Sequence, residues 1–427
     1  MGIFGSDKLI LGYDLGNEFC QISYALPGQS EAETLSSVTG AQNYNIPAVL
    51  CKREGANQWY YGKDALRCAD DGEGILIENL LGQALDGEPV LIEGESFDPV
   101  ALLALFFRRS LGLLSQAAST ERIGALMITC EMVDSRVLDV LSRMMAAVHL
   151  KTDKVAIQSH TESYYYYMLK QPKELWVNGS VLFDYRGSCV RTYRMECNKR
   201  TTPVVVYINE EANPFYRWEP PPQESAAREK LSTELDAVFL KVAEKYTMGG
   251  QVESAYLIGN GFEQEWMKES LKYLCRGRRV FQGNNLFSKG ACYGMQERLN
   301  PSDLGKEHVY LGRDMLKANV GMKVLRQGEE SYYALLDAGV NWYESDYTME
   351  FYMLSGNEIT LQITPLIGKS GREARVTFDD FPGSIARIRA RFYLEAENLL
   401  IMEAQDLGFG EFRHSSQHVW KEKIELY

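Results

Sequence analysis

The sequence predicts an α/β domain over residues 1–300, followed by an all-β domain over residues 301–427. Three observations carry this division. Up to about residue 300, short apolar runs alternate with segments of helical periodicity. Beyond Pro301 the helical periodicity stops, and alternating runs split by Gly, Asn, Asp and Pro take over. The length of 427 residues leaves room for two or three domains at about 150 residues each.

Residues 8–25 read as strand, tight turn, strand. An apolar run ends in Asp14-Leu15-Gly16-Asn17, and Phe19, Gln21 and Ser23 then alternate with Cys20, Ile22 and Tyr24. Residues 47–51 and 58–61 are short strands, and residues 63–69 begin a helix. Residues 99–115 form an apolar helix. Residues 124–130 are a buried strand, and Asp134-Ser135 caps a helix over 136–148. A strand at 155–157 leads into a helix over 161–169 carrying four consecutive tyrosines, Tyr164–Tyr167. These read as core filling, with a partner surface as the alternative.

Residues 181–197 repeat the strand-turn-strand pattern, and 203–208 add a third strand. A proline-rich break follows at Pro214 and Pro220-Pro221-Pro222. Residues 224–246 read as one long helix, 255–258 as a strand ending in Gly259-Asn260-Gly261, and 263–273 and 285–298 as helices. The polar stretch 300–307 reads as a linker. The last 127 positions give about seven or eight strands, at 332–336, 347–353, 359–365, 374–378, 385–393, 399–404 and 418–426.

Composition excludes several function classes. Lys and Arg number 45 against 58 Asp and Glu, a formal charge of −13. That balance predicts no nucleic-acid partner and no anionic membrane surface. Eight cysteines without a CxxC spacing and only five histidines argue against a zinc site and for reduced core thiols. No run reaches the roughly 18 apolar residues of a membrane span. Cytoplasmic residence is the resulting expectation.

The α/β part stops a strand at a glycine turn in three places: at Asp14 and Gly16, at Asp184 and Gly187, and at Gly259 and Gly261. Glycine turns let backbone N–H groups approach an anion, and two strand-end aspartates facing one cleft can hold a metal ion through water. Asp14 and Asp184 equally suit side-chain capping of their own turns, and the glycines suit a plain strand end. The five histidines lie on different elements and form no visible triad. Each reads as surface or satisfied core, and residues 414–418 as a turn.

The order of these motifs resembles the actin superfamily of ATPases, and within it the DnaK-type heat-shock chaperones. ILGYDLGNEFCQISYAL resembles that family's first phosphate hairpin, and VLFDYRGSCVRTYRM its second. PAVLCKREGANQWYYGKDA resembles the strands and helix start that follow the first hairpin. GALMITCEMVDSRVLDVLSRMMAAVHLKTDKVAIQSHTESYYYYM resembles the connecting strand-helix-strand-helix. ESAYLIGNGFEQEWMKESL resembles the adenosine strand, turn and helix, and NNLFSKGACYGMQ the closing helix. The end of the chain, LLIMEAQDLGFGEF with VWKEKIEL, resembles the close of the chaperones' β-sandwich substrate-binding domain. The resemblance implies a two-lobed, ribonuclease-H-like ATPase domain over 1–300 and a β-sandwich over 301–427. It implies nucleotide contacts at Asp14, Gly16, Asn17, Asp184, Gly187, Gly259 and Gly261. It also implies magnesium held through water by Asp14 and Asp184, with Mg-ATP or Mg-ADP as the cofactor and an extended peptide or protein on the β-domain.

The departures from the family pattern predict a weakened site. Arg186 and Ser188 stand where the second hairpin has glycines. Asn17 and Glu18 replace hydroxyl residues. Glu78 lies where the family has its catalytic lysine, and Ser159 near its glutamate. A lysine-to-glutamate exchange turns phosphate attraction into repulsion. The subdomain that clamps adenine in the family is missing or minimal, about residues 198–223. No helical lid follows the β-domain, which predicts fast peptide release. Two readings follow. One is a DnaK-like protein with a degenerate ATP site, acting as a protein-binding, scaffold or regulatory module. The other is an active Mg-ATP-dependent chaperone ATPase.

Overall fold

A computed structural model describes residues 8–38, 40–117, 122–152, 154–217, 224–249, 251–354, 356–366, 370–381 and 385–427. The chain divides into two compact units, Met1–His308 and Val309–Tyr427. Pro220-Pro221-Pro222 lie outside the described residues.

The first unit contains two sheets with one plan. In the first, the spatial order is Val155–Ser159, Ile123–Cys130, Leu9–Leu15, Phe19–Ala25, Glu33–Thr34. Five of the six strands of the second run in the order Arg279–Gln282, Ser254–Ile258, Ser180–Arg186, Cys189–Asn198, Val204–Pro214. Numbered along the chain, these five strands read 5-4-1-2-3 in each sheet; in the first, the two-residue strand Ile46–Pro47 also pairs Phe19–Ala25. In both, strands 1, 4 and 5 are parallel and strands 1, 2 and 3 antiparallel. The parallel neighbours require helical crossovers, which Ser135–Val148 supplies in the first sheet.

Leu9–Leu15, Phe19–Ala25 and Ser180–Arg186 are buried almost throughout, whereas Cys189–Asn198 mixes buried with half-buried and exposed positions. Two helices close the unit, His160–Leu169 and Leu286–Leu299. They pack closely because the second is built from small residues: a Cβ on Gly290 would lie 2.0 Å from the Ser163 carbonyl oxygen. The same helix presses on the first strand, where a Cβ on Gly12 would lie 2.1 Å from the Ser288 carbonyl oxygen. The tyrosine run is packed rather than displayed. Tyr164 and Tyr165 are buried, Tyr164 hydrogen-bonds Ser180, and Tyr167 meets the rings of Tyr256 and Tyr293.

Several elements differ from the sequence expectation. The strand expected at 203–208 runs on to Pro214, pairing along the whole of Cys189–Asn198. Residues 204–214 therefore belong to the sheet. The helix expected over 263–273 shrinks to Glu269–Leu274, because the Trp266 indole turns back to donate to the Gly261 carbonyl at 2.8 Å. The polar stretch after residue 300 contains a short helix, Asp303–Glu307, with Ser302 accepting from the Gly305 N–H.

The second unit holds two four-stranded antiparallel sheets. One runs Glu329–Leu336, Ala318–Arg326, Glu358–Pro365, Arg372–Thr377; the other Asp346–Met353, Ala386–Ala396, Leu399–Asp406, Val419–Glu425. Ala386–Ala396 alternates buried with exposed residues along its length. Its outward face carries Arg387 and Arg389 on Glu350 and Arg391 on Asp346. Ala318–Arg326 has no counterpart in the sequence reading. Its Gly321 is accommodated under the Tyr332 ring, which lies 2.3 Å from where a Cβ would stand.

Candidate functional site

The two central hairpins bring Asp14 and Asp184 to one cleft, with Arg186 between them. Both aspartates are buried at strand ends. Arg186 Nε donates to Asp184 Oδ1 at 2.9 Å, and its Nη2 lies 4.0 Å from Asp14 Oδ2. The guanidinium also lies over two rings, 4.7 Å from the Phe19 centroid and 5.7 Å from that of Phe287. Phe19 belongs to the first hairpin and Phe287 to the closing helix. One side chain from the second sheet thus contacts the first sheet and the helix Leu286–Leu299.

His160 completes the group. Its Nε2–H donates to Asp14 Oδ1 at 2.7 Å, and its ring stacks on Phe287 at 3.8 Å. Asp14 Oδ2 is buried without a hydrogen bond. Burial raises the Asp184 carboxyl above its ordinary value, Arg186 and His160 oppose the rise, and Asp14 adds to it. Burial also works against the charge on Arg186, but Asp184 and Asp14 outweigh it and hold the guanidinium above its usual value.

In front of this group lies a cavity of about 290 Å³. Among its lining residues are Glu18, Glu131, Asp184, Arg186 and Arg191, three carboxylates against two guanidiniums. Arg191 is already engaged by Glu131 and Glu210.

The remaining expected site residues are placed as follows. Gly16 makes the turn, since a Cβ there would lie 2.9 Å from the Phe19 carbonyl oxygen. Asn17 does not face an open phosphate loop. Its Oδ1 accepts from the Gly82 N–H at 3.0 Å and caps the helix Leu80–Asp86, whose own cap residue Asn79 makes no side-chain bond. Gly187 takes φ +54° at the tip of the second hairpin, and Ser188 is exposed there.

Glu78 is exposed just before the helix that Asn17 caps, and is not among the cavity's lining residues. Ser159 is a helix cap, its Oγ accepting from the Glu162 N–H. Gly259 and Gly261 are explained by Tyr185. A Cβ on Gly259 would lie 2.4 Å from the Tyr185 carbonyl oxygen, and one on Gly261 2.0 Å from its ring. Where the resemblance places an adenosine turn, Tyr185 packs with Phe215, Phe262 and Trp266.

His160, Phe19 and Phe287 are the site residues that sequence reasoning missed. The one available signal is position: His160 directly follows a strand of the sheet that holds Asp14, and strand ends of one sheet share an edge. The residues present do not fit a magnesium-bound triphosphate. A guanidinium stands between the carboxylates, the cavity's charged groups sum to a negative charge, and the nearby helix N-terminus is capped. Among the described residues no group of three or more His, Cys, Asp or Glu side chains stands ready for a metal, and no helix is long and apolar enough to cross a membrane.

Comparison with known families gives two matches. Residues 31–313 match the C-terminal model of a family of unknown function, DUF5716. Residues 315–426 match a domain of unknown function, DUF8552. No curated protein matches the chain.

Proposed function

The chain belongs to the DUF5716 family, and from its own residues we propose that it is a DnaK-like protein whose nucleotide cleft holds an internal arginine in place of a bound cation. It acts in the cytoplasm as a protein-binding scaffold or regulatory module through its β-rich unit, without nucleotide turnover.

The observation that carries this reading is Arg186. It bridges Asp184 of one lobe to Asp14 and Phe19 of the other. A magnesium nucleotide in such a cleft would supply positive charge between the two carboxylates and so hold the lobes together. Arg186 supplies a fixed positive charge at the same place. The actin-like fold itself is supported by the 5-4-1-2-3 order found twice with the same strand directions. The eight cysteines, all free thiols, suit a reducing compartment.

The alternative, a working Mg-ATP chaperone, draws on one observation: Asp14 and Asp184 do share a cleft, and Asp14 Oδ2 has no hydrogen-bond partner. Calorimetric titration with Mg-ATP and Mg-ADP separates the two readings. The expected result is no heat and no thermal stabilisation at millimolar nucleotide. Micromolar binding, with ATP turnover abolished in Asp14→Ala or Asp184→Ala, overturns the proposal in favour of the alternative.

A further inference from the structure

Two buried thiols meet in the first unit, outside the cleft. A three-stranded sheet runs in the order Trp59–Tyr61, Leu50–Arg53, Gly74–Ile77, and the helix Gly62–Asp70 packs on it. Val49 and Cys51 from the strand side join Ala65 and Cys68 of the helix in a small apolar cluster. Ala65 and Cys68 are three positions apart, so they share one helix face.

Gly74 leaves room for both sulfurs. A Cβ there would lie 2.6 Å from Cys51 Sγ and 3.0 Å from Cys68 Sγ. Two sulfurs that close to one point are within reach of each other, and one thiol hydrogen-bonds the other. The two are not equivalent. Cys51 is fully buried, whereas Cys68 keeps 7% of its surface exposed. Burial, with the Cys68 sulfur beside it, holds the Cys51 thiol above its ordinary value. Cys68 is therefore the one that meets a small oxidant, and Cys51 the one that resolves the product.

The strand and helix that carry these thiols also frame the turn of the first hairpin. The Ala48 N–H donates to the Glu18 carbonyl at 2.9 Å, and Pro47 stands opposite Phe19 in the ladder. The Gly62 N–H, at the start of the helix, donates to the Val49 carbonyl at 3.1 Å. Glu18 and Phe19 line the cavity in front of Arg186.

We propose that Cys51 and Cys68 are a redox-sensing pair that peroxide closes to a disulfide, locking the helix Gly62–Asp70 to the strand Leu50–Arg53. The Cys68 thiolate attacks one oxygen of hydrogen peroxide, and the O–O bond breaks. Cys68 becomes a sulfenic acid, and the departing hydroxide takes up the proton that the thiol gave. The Cys51 sulfur then attacks the Cys68 sulfur. The S–O bond breaks, and the hydroxyl leaves as water with the Cys51 proton. Two thiols and one peroxide thus give one disulfide and two waters. In a reducing compartment such a bond is transient, and a dithiol reverses it by exchange. The pair acts whether or not the cleft binds nucleotide.

The test uses the full chain carrying Cys275→Ser, which removes an exposed thiol able to join two molecules. After treatment of the folded chain with hydrogen peroxide, tandem mass spectrometry should find a Cys51–Cys68 link. The intact mass should fall by two hydrogens, and dithiothreitol should restore both. Amide hydrogen exchange across residues 46–70 should slow by about tenfold or more in the linked chain. In Cys51→Ala the sulfenic acid on Cys68 has no resolving thiol, so dimedone should label Cys68. In Cys68→Ala, Cys51 should stay a thiol.

No Cys51–Cys68 link in the folded chain overturns the proposal, and so does a link from either residue to another cysteine. A link that forms only in urea belongs to the unfolded chain and overturns it too. Passage of Cys68 to the sulfinic acid without a link means ordinary oxidative damage, with the same consequence. Unchanged exchange over residues 46–70 in the linked chain overturns the locking, and dimedone labelling of Cys51 in Cys68→Ala overturns the order of the two steps.

Discussion

Two buried aspartates, each paired with a nearby arginine, have opposite fates in this molecule. Asp406, in the second unit, receives Arg413 at both oxygens, at 2.8 and 2.5 Å. It also accepts from the backbone N–H groups of Gly408 and Ser416 and from the Ser416 hydroxyl. The Arg413 bonds, helped by these donors, hold its carboxyl far below the usual range in spite of burial. Asp184, in the cleft, has one guanidinium contact and a second carboxylate nearby, and burial drives it upward instead. The first aspartate is saturated with donors and fastens a loop. The second is under-supplied, and its arginine is shared with the other sheet. A buried ion pair with too few donors contributes little stability, and it persists where it does something else.

The largest test of this contrast is removal of each arginine. Arg186→Ala should cost about 3–5 kcal/mol, because it leaves Asp14 and Asp184 in one cleft with no cation between them. Arg413→Ala should cost about 1.5–3 kcal/mol, since Asp406 keeps its backbone and hydroxyl donors. Urea denaturation at pH 7 measures both, and a larger loss for Arg413→Ala breaks the comparison. Gly261→Ala comes next. It presses a methyl group into the Tyr185 ring, beside Asp184, and should cost about 1–3 kcal/mol.

The acid limb gives a smaller and more specific signature. Asp406 is held below its unfolded value, so its stabilisation is full above about pH 4 and is lost as pH falls through the folded value. Asp184 is raised, so the folded state binds its proton more tightly, and stability falls as pH rises from the unfolded value through the folded one. Asp406→Asn should therefore flatten the loss of stability on acidification, and Asp184→Asn should steepen it. Denaturation midpoints between pH 3 and 6 read both slopes, and slopes of the same sign would contradict the assignment. Smallest of all, Glu350→Gln on the exposed sheet face should leave the denaturation midpoint unchanged, because such surface pairs are solvated.

Much of this was legible in the sequence, and what was not has identifiable causes. The two hairpins and their strand-end aspartates were readable because buried strands announce themselves as apolar runs stopping at glycine. The substitution of Arg186 for a glycine was visible too, though only as something that narrows a loop. Its reach to Asp14 depends on how the two sheets of the first unit meet, which no local pattern encodes. Asn17 was assigned to a ligand because its role as a cap involves Gly82, 65 residues away. Ala318–Arg326 is not among the strands read from the sequence, and the ring that makes its Gly321 necessary, Tyr332, comes from another strand. His160 reads in the sequence as surface or satisfied core, and it is buried; what the sequence hid was that its partner is Asp14.

The contact between the N-terminal hairpin and the closing helix with the residues just before it sets a schedule for the molecule's making. Ser23 hydrogen-bonds Ser288 at 2.8 Å, and the Gln21 amide donates to the Asn284 carbonyl at 2.6 Å. One face of the N-terminal sheet is covered by residues that leave the ribosome some 260 positions later. At about 5–20 residues per second, the nascent sheet waits roughly 15–50 s with that face bare. Its folding is therefore paced by synthesis, and the interval before residue 286 emerges is when a chaperone is most needed.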